Sequence, residues 1–155
     1  MKNLFMCSSD GFPNKKNLNL GIFNFEQGKA LKTYKVHLFD LSTNNTKNII
    51  IDNYDKIKIY RLFNSKFNIL KILKNYFFLK KIANKYKPSI VISSFLNVKN
   101  VIYTSFIKSK KIVLIHGSDA NTKDLLRKFI FKFYLNKLDR IICVSNYTKK
   151  ILLNN

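Results

Sequence analysis

Short apolar runs alternate with segments of helical periodicity along the chain. The apolar runs predict strands, at residues 3–9, 34–42, 49–63, 90–94, 112–116 and 141–145. The segments between and after them predict helices, at residues 22–32, 67–86, 98–109, 122–138 and from 146 onward. Strands that alternate with helices indicate right-handed βαβ crossovers, and therefore a parallel sheet covered on both faces.

The predicted fold class is α/β, a Rossmann-like three-layer sandwich with a mostly parallel sheet and helices on both faces, in the strand order 3-2-1-4-5-6. The runs "SIVIS", "KIVLI" and "RIICV" are continuously apolar, which is typical of buried strands, whereas half-exposed strands alternate. Residues 49–63 read as two strand segments with a turn at Asn53. At 155 residues, without a repeat or a linker, residues 1–155 are predicted to form one domain.

Two of the predicted helices combine an apolar stripe with lysines. In residues 67–86 the stripe recurs every three or four positions, at Ile69, Ile72, Leu73, Tyr76, Leu79, Ala83 and Tyr86. Pro88 ends this helix, because the residue before a proline avoids helical backbone angles. Asn121 is the predicted N-cap of the helix at residues 122–138. The stripe of that helix comprises Leu126, Phe129, Ile130 and Phe133.

The formal net charge of +21 raises the question of nucleic-acid binding. The 29 basic residues are 26 lysines and 3 arginines, whereas base readout and bidentate phosphate recognition favour arginine. None of the usual nucleic-acid-binding motifs is present, so no specific nucleic-acid partner is expected. An anionic membrane surface, which attracts lysine as a point charge, fits this composition better.

The sequence predicts neither a membrane span nor a signal peptide. No apolar run approaches the roughly 18–20 residues that cross a bilayer, and residues 3–9 are too short and too poorly flanked for a signal peptide. The predicted location is the cytoplasm, with peripheral binding to the inner face of the cell membrane as a further hypothesis from the lysine-rich helices. Cys7 and Cys143 lie far apart in apolar runs, which favours reduced, buried thiols over catalytic or metal-binding roles.

Ligands of open α/β sheets bind beyond the carboxyl ends of the strands. Those ends are predicted at residues 8–21, 93–97, 116–121 and 145–148. They contain neither a G-x-G-x-x-G motif nor a P-loop, which argues against a dinucleotide fold of the usual kind. Ser145 before the last helix is predicted to be an N-cap, and His37, inside a strand without polar neighbours, is predicted to be structural.

The run "IVLIHGSD" carries the sharpest site candidates, because His116, Gly117, Ser118 and Asp119 directly follow a predicted core strand. Gly117 lets a ligand approach the backbone, while Ser118 and Asp119 are placed to orient the histidine or bind a hydroxyl. The alternative for His116 is a buried, hydrogen-bonded structural residue. Gly21 begins the first helix, where backbone amides can meet a phosphate or sugar oxygen, but a flexible residue that closes the loop explains it equally well.

Four segments, in order, resemble the N-terminal domain of glycosyltransferase family 4 enzymes, which have the GT-B fold. The segments are "SSDGFPN…LGIFNFEQGKAL", "KPSIVISSF", "IVLIHGSD" and "LDRIICVSNYTKKIL". The last is similar to the D-x-I-I-x-V-S pattern that ends this domain in the family. The resemblance covers essentially the whole chain.

The resemblance implies a retaining transfer of a sugar from a nucleotide sugar to a glycan or lipid-linked acceptor, without a metal or another cofactor. The active site of such enzymes is the cleft between two Rossmann domains, of which the N-terminal one mainly holds the acceptor. By position, Gly21 matches the loop glycine near the donor phosphates. His116, the candidate catalytic residue, matches the strand-end residue that faces the donor sugar. Ser118 and Asp119 line the same wall, and Gly117 is the remaining substrate-binding candidate.

The chain departs from the family pattern in two ways. Many members have a D-I-I-H-x-H-like segment where this chain reads "SIVISSF", so Ile92 and Ser94 replace the histidines. The C-terminal domain, with its basic pair and Glu-x₇-Glu element, is expected to be absent, since Glu26 is the only glutamate. The chain is therefore predicted to be inactive alone, as a gene fragment or half of a split enzyme whose second Rossmann domain is lost or acts in trans. The alternative is a noncatalytic Rossmann-like binding module or partner subunit, with a membrane surface as one site of action.

Overall fold

The structure is a computed structural model that describes residues 1–14, 16–42, 48–63, 68–117 and 124–153, without the side chains of residues 125–127. The strands in these ranges are β1 (Lys2–Ser8), β2 (Tyr34–Asp40), β3 (Ile50–Tyr54), β4 (Ile57–Arg61), β5 (Ile90–Ser93), β6 (Lys110–Ile115) and β7 (Arg140–Cys143). The helices are α1 (Ile22–Ala30), α2 (Ile69–Tyr86), α3 (Val98–Thr104), α4 (Leu125–Leu135) and α5 (Asn146–Leu153). The predicted N-cap Asn121 lies outside the described residues.

One sheet holds these strands in the order β3-β4-β2-β1-β5-β6-β7. Neighbouring strands are parallel except β3 and β4, which form an antiparallel hairpin at one edge. Without β3, and with the other six strands renumbered 1 to 6 along the chain, the order is the predicted 3-2-1-4-5-6. The Rossmann-like fold class is therefore confirmed. The predicted turn at Asn53 is wrong. β3 continues to Tyr54, and the chain turns at Asp55 and Lys56, which both have positive φ.

The two faces of the sheet pack against different helices. On one face, Leu4 and Met6 of β1 belong to a buried cluster with Phe25 of α1. On the other face, Phe5 and Cys7 of the same strand belong to a cluster that includes residues of α2 and α3. This division follows from strand geometry, because successive side chains of a strand point to opposite faces. The predicted layers of helix on both sides of the sheet are therefore present.

α2 buries a narrower stripe than its sequence predicts. Leu79 is fully buried against the sheet, as expected. Ile69 and Leu73, which belong to the same predicted stripe, are 72% and 45% exposed. Asn75 is buried instead, because its side-chain amide donates to the carbonyl of Phe63 and its side-chain oxygen accepts from the amide of the same residue. A polar side chain that hydrogen-bonds to the backbone of a loop thus occupies a buried position, which the apolar pattern does not predict.

The predicted stripe of α4 is correct at Ile130, which packs against the core, but wrong at two other positions, and the predicted burial of β7 is wrong. In α4, Phe131 and Tyr134 are buried, while Phe129 and Phe133 of the predicted stripe are exposed. β7 is the last strand of the sheet, and Ile142 in it is about half exposed. Apolar spacing identifies a helix but does not choose between two of its faces when both carry aromatic residues.

Candidate functional site

The carboxyl ends of the central parallel strands meet at one edge of the sheet, called here the carboxyl edge. Backbone hydrogen bonds continue past the strand ends, from Ser94 N to Cys7 O (2.9 Å) and from Val144 N to Ile115 O (3.1 Å). The loops that follow β1, β5, β6 and β7 therefore begin side by side. Open α/β sheets bind their ligands at this edge, and the segments predicted as a site fall there.

His116 lies at the carboxyl edge between two phenylalanine rings. Its imidazole stacks on Phe95, which follows β5, with ring centroids 4.3 Å apart and an interplanar angle of 25°. Phe23 of α1 meets the imidazole edge-on, with ring centroids 6.4 Å apart. His116 is half-buried and its Nε2 atom is buried, and the two rings restrict the orientation of the imidazole. The same contacts place the start of α1, and with it the region of Gly21, beside the end of β6.

Gly21 is sterically required where the loop of residues 11–20 meets α1. Its φ of +57° lies in the left-handed region, and a Cβ there would lie 2.1 Å from the carbonyl oxygen of Gly11. Any other residue would strain the backbone and force this crossing of the loop apart. The loop geometry therefore explains the identity of Gly21 by itself, and its role in ligand binding stays a prediction.

Gly117 approaches the start of α5 closely. Its φ is +106°, and a Cβ there would lie 3.2 Å from Thr148 Oγ1. Ser145 Oγ accepts a hydrogen bond from Thr148 N at 3.1 Å, which is the predicted N-cap of α5. The structure thus brings the end of β6 and residues 145–148 together, as the sequence predicts. Ser118 and Asp119 lie outside the described residues.

Small polar side chains join the loops of the carboxyl edge, and the motif analysis of the sequence missed them. Asn24 of α1 is buried and donates from Nδ2 to Ser8 Oγ at 3.0 Å. Asn97 Nδ2 donates to Ser9 Oγ at 2.8 Å and so ties the loop after β5 to the loop after β1. Among the described residues, the buried Asn24 Oδ1 and Ser94 Oγ have no hydrogen-bond partner. An asparagine on the buried side of the short helical run "IFNFE" is the signal that sequence reading could have used.

His37 and Cys7 are structural. His37 is buried, with Nε2 3.2 Å from Asn3 Oδ1, and burial, assisted by Lys35 and Lys58, lowers its pKa to about 4. Burial likewise raises the pKa of the Cys7 thiol to about 12, so the thiol is protonated and unreactive near neutral pH. In the described ranges, no group of three His, Cys, Asp or Glu side chains is placed to hold a metal ion.

The mostly parallel seven-stranded sheet with helices on both faces is the Rossmann-like fold of the domains that build the GT-B fold. The sequence profile of Glycosyltransferase Family 4 matches residues 26–155, well over half of the chain. The chain belongs to glycosyltransferase family 4, as the resemblance of its four segments predicts.

One curated relative and two solved structures of a second protein are similar to this chain. An uncharacterized glycosyltransferase of Methanocaldococcus jannaschii is 29% identical over 136 residues, which cover 82% of this chain and 37% of the relative. Two solved structures of sucrose-phosphate synthase from Thermosynechococcus elongatus share the fold at 14% sequence identity. In one, with a TM-score of 0.70, the match covers 99% of this chain and 45% of the synthase chain. In the other, with a TM-score of 0.65, the match covers 97% of this chain and 81% of the synthase chain. The chain spans less than half the length of the curated relative.

Proposed function

We propose that the chain is the N-terminal, acceptor-side half of a retaining glycosyltransferase, which moves a sugar from a nucleotide sugar to a glycan or lipid-linked acceptor. The observation that carries the proposal is the carboxyl edge of a family 4 domain, where the half-buried His116 lies between two aromatic rings. In this proposal His116 faces the donor sugar, and Gly21 and Gly117 let ligand oxygen atoms approach the backbone. Ser118 and Asp119, which follow Gly117 in the sequence, are proposed as further substrate-binding residues because of the family resemblance.

The proposed reaction needs groups that this half does not contain. The bond between the anomeric carbon and the nucleotide phosphate breaks, and the oxygen of the acceptor hydroxyl bonds to that carbon on the same face. The hydroxyl gives up its proton to the departing phosphate or to solvent, and the departing phosphate carries negative charge. Stabilising that charge is often the largest catalytic contribution. Glu26, the sole glutamate of the sequence, lies on α1 with Lys29 Nζ 3.6 Å away, so no Glu-x₇-Glu element is present. A second Rossmann domain, in trans or in a longer protein, supplies these groups in the proposal.

The chain alone is expected to transfer no sugar. One wall of a cleft neither excludes water nor fixes the two reactants, so proximity effects of about 7–11 kcal/mol are not realised. The measurement is nucleotide release from a panel of nucleotide sugars. It compares the purified chain with its fusion to the part of the Methanocaldococcus jannaschii relative that lies outside the matched region. The complete relative serves as the positive control for the assay.

Turnover by the fusion but not by the chain supports the proposal. Clear turnover by the chain alone, or micromolar donor affinity without a second domain, contradicts the assignment of the active site. The DNA downstream of the Asn155 codon distinguishes the proposed enzyme half from the alternative, a noncatalytic module or partner subunit. A frame that encodes a second Rossmann domain with Glu-x₇-Glu favours a split or interrupted enzyme. Unrelated sequence favours a noncatalytic module or partner subunit.

A second proposal concerns location: we infer that α2 and α4 rest on the anionic inner face of the cell membrane, on the cytoplasmic side. One side of α2 exposes Leu70, Leu73 and Phe77 at spacings of three and four, and Ile69 is exposed next to Leu70. Lysines continue the same side of the helix, at Lys74, Lys80 and Lys81. Exposed apolar side chains beside lysines are the composition of a surface that enters the headgroup region.

α4 repeats this arrangement. Phe129 and Phe133 are exposed one helical turn apart, and Lys137 Nζ lies 4.0 Å from the centroid of the Phe133 ring. Across the described residues, no helix has the length and apolarity that a membrane crossing needs. The proposed attachment is therefore peripheral.

We expect the chain to sediment with anionic liposomes, to sediment little with neutral ones, and to be released by salt. Each lysine near an anionic surface contributes about 1 kcal/mol, and added salt screens this attraction. Joint replacement Leu70→Ser and Phe77→Ser should lower the bound fraction several-fold, because apolar insertion is lost. Leu153→Ser on α5 is the matched control, since Leu153 is 73% exposed and Leu70 is 70% exposed. Equal recovery with both liposome types would indicate a solvated basic face instead.

A further inference from the structure

Two buried oxygen atoms at the carboxyl edge, Asn24 Oδ1 and Ser94 Oγ, have no hydrogen-bond partner among the described residues. Asn24 is 3% exposed, and Ser94 is 0% exposed. Leaving a buried polar atom unpaired is destabilising, and nearly all such atoms in folded proteins bond to the protein or to ordered water. Asn24 and Ser94 therefore need a further group that satisfies them.

The two residues meet at Ser8, the last residue of β1. Asn24 Nδ2 donates to Ser8 Oγ at 3.0 Å. The backbone amide of Ser94 donates to the carbonyl of Cys7 at 2.9 Å, which continues the parallel pairing of β1 with β5 and sets Ser94 beside Ser8. The side-chain amide of Asn24 and the residue Ser94 therefore flank the same serine.

Ser94 lies on the face of the sheet that α1 covers. Ile92 of β5 packs against the buried cluster of that face, whereas Ser93 Oγ lies 3.4 Å from Tyr134 Oη of α4 on the other face. Because side chains along a strand alternate between its two faces, Ser94 shares the face of Ile92. Asn24 belongs to α1, so the two oxygens without a partner both lie between α1 and the sheet.

Asn24 and Ser94 adjoin the two rings that contact His116. Asn24 directly follows Phe23, and Ser94 directly precedes Phe95. Phe23 meets the imidazole edge-on and Phe95 stacks on it, with ring centroids 6.4 Å and 4.3 Å from that of the imidazole. A bond that fixes the separation of Asn24 and Ser94 therefore also fixes the two rings relative to each other.

We propose that Asn24 Oδ1 and Ser94 Oγ bind one water molecule in common, and that this bridge makes Asn24 and Ser94 positioning residues for His116. A buried water molecule makes about two to four hydrogen bonds to polar groups that are otherwise unsatisfied. The water donates to the Asn24 oxygen, which can only accept, and it donates to or accepts from the Ser94 hydroxyl. The bridge itself does not depend on the proposed function; only its effect on sugar transfer rests on it.

The first test is a crystal structure of the chain at a resolution that shows ordered water. We expect one water oxygen at about 2.7–3.2 Å from both Asn24 Oδ1 and Ser94 Oγ. The same site in crystals of Ser94→Ala should lose this water or show it at lower occupancy. A native structure without the water, or with a direct hydrogen bond between Asn24 and Ser94, overturns the proposed bridge.

The second test measures the imidazole proton resonances of His116 in the isotope-labelled chain, because the currents of the two neighbouring rings set their chemical shifts. Ser94→Ala should move these resonances. Ser93→Ala is the matched control, since Ser93 is the adjacent serine, is equally buried and contacts the opposite face. It should leave the imidazole resonances nearly unchanged. The amide spectra of the same samples report whether each variant is folded.

A double variant tests whether Asn24 and Ser94 act through one bridge. Asn24→Leu removes the side-chain amide at similar volume and should also move the imidazole resonances of His116. Adding Ser94→Ala to Asn24→Leu should move them little further, because the bridge is already lost. Additive shifts would show that the two residues act independently, which overturns the proposal.

The consequence for sugar transfer is measured with the fusion. Ser94→Ala should lower kcat about three- to tenfold with KM nearly unchanged, because small misplacements of a reacting group already slow a reaction. Ser93→Ala should leave both constants as they are. Equal imidazole shifts in the two serine variants, or an unchanged kcat of Ser94→Ala in an active fusion, would overturn the positioning role. Bridge and imidazole shifts as expected in a chain whose native fusion transfers no sugar would retain the inference and count against the proposed function.

Discussion

His116→Ala is expected to reduce sugar transfer by the fusion about a hundredfold or more while leaving the domain folded. The proposal places the imidazole against the donor sugar, and removing one group that stabilises developing charge lowers kcat by about 10²–10³. The expected loss of unfolding free energy is about 1 kcal/mol, because a half-buried ring leaves its stack on Phe95. Nucleotide release gives kcat/KM, and urea unfolding of the chain gives the stability.

His116→Phe is the matched control for this prediction. Phenylalanine keeps the stack on Phe95 and the edge contact with Phe23 but has no ring nitrogen. It should keep the stacking contribution to stability and be as inactive as His116→Ala. Full transfer by His116→Phe would show that the nitrogens take no part in the reaction. A collapse of stability in His116→Ala would identify the residue as structural.

The strands and their order were predictable from the sequence because each depends on local signals. The runs "SIVIS" and "KIVLI" are apolar throughout and become the central strands β5 and β6. The handedness rule for parallel crossovers then leaves few arrangements of the sheet. The turn of the edge hairpin was predicted at the wrong residue, because the observed turn at Asp55 and Lys56 contains no glycine or proline.

The candidate site could be predicted only in part. His116 and Gly117 are recognisable because a polar cluster directly follows an apolar strand. Phe95 comes from the loop after β5 and Phe23 from α1, and no spacing in the sequence links either residue to His116. The outward face of α2, with Leu70 exposed, was missed for a similar reason, since the sheet decides which of its apolar residues are buried.

The ion pairs of Arg61 with Asp40 and Asp52 show most clearly why contacts between distant residues could not be predicted from the sequence. Arg61 closes β4, and strand pairing sets it opposite Asp40 of the parallel neighbour β2. Asp52 comes from β3, the antiparallel neighbour on the other side. Three residues that lie on three strands meet only after the register of the sheet is known. Nothing in the sequence around Arg61 distinguishes it as the centre of a buried ion-pair network.

Arg61→Met is expected to lower the free energy of unfolding by about 3–5 kcal/mol. The Asp40 side chain is 5% exposed, and the substitution leaves its carboxylate buried without a cation. Removing one partner of a buried ion pair is strongly destabilising because the other charge stays uncompensated. It also removes the donors to the carbonyls of Phe12 and Pro13, so the first loop loses two anchors. Urea or guanidinium unfolding, followed by circular dichroism, measures the change.

Adding Asp40→Asn to Arg61→Met should recover about 2 kcal/mol of this loss, because the uncompensated charge is removed while a side-chain oxygen still accepts from Ser42 N.

Lys29→Met is the surface control. Its ion pair with Asp55 has the same 2.6 Å length as that of Arg61 with Asp40, but both side chains are largely hydrated, so stability should barely change. If Arg61→Met were as mild as Lys29→Met, water would have to reach Asp40 and take the place of the guanidinium. If the double variant were no more stable than Arg61→Met, the loss would come from the released loop carbonyls, and the network would act chiefly by anchoring the first loop over the sheet.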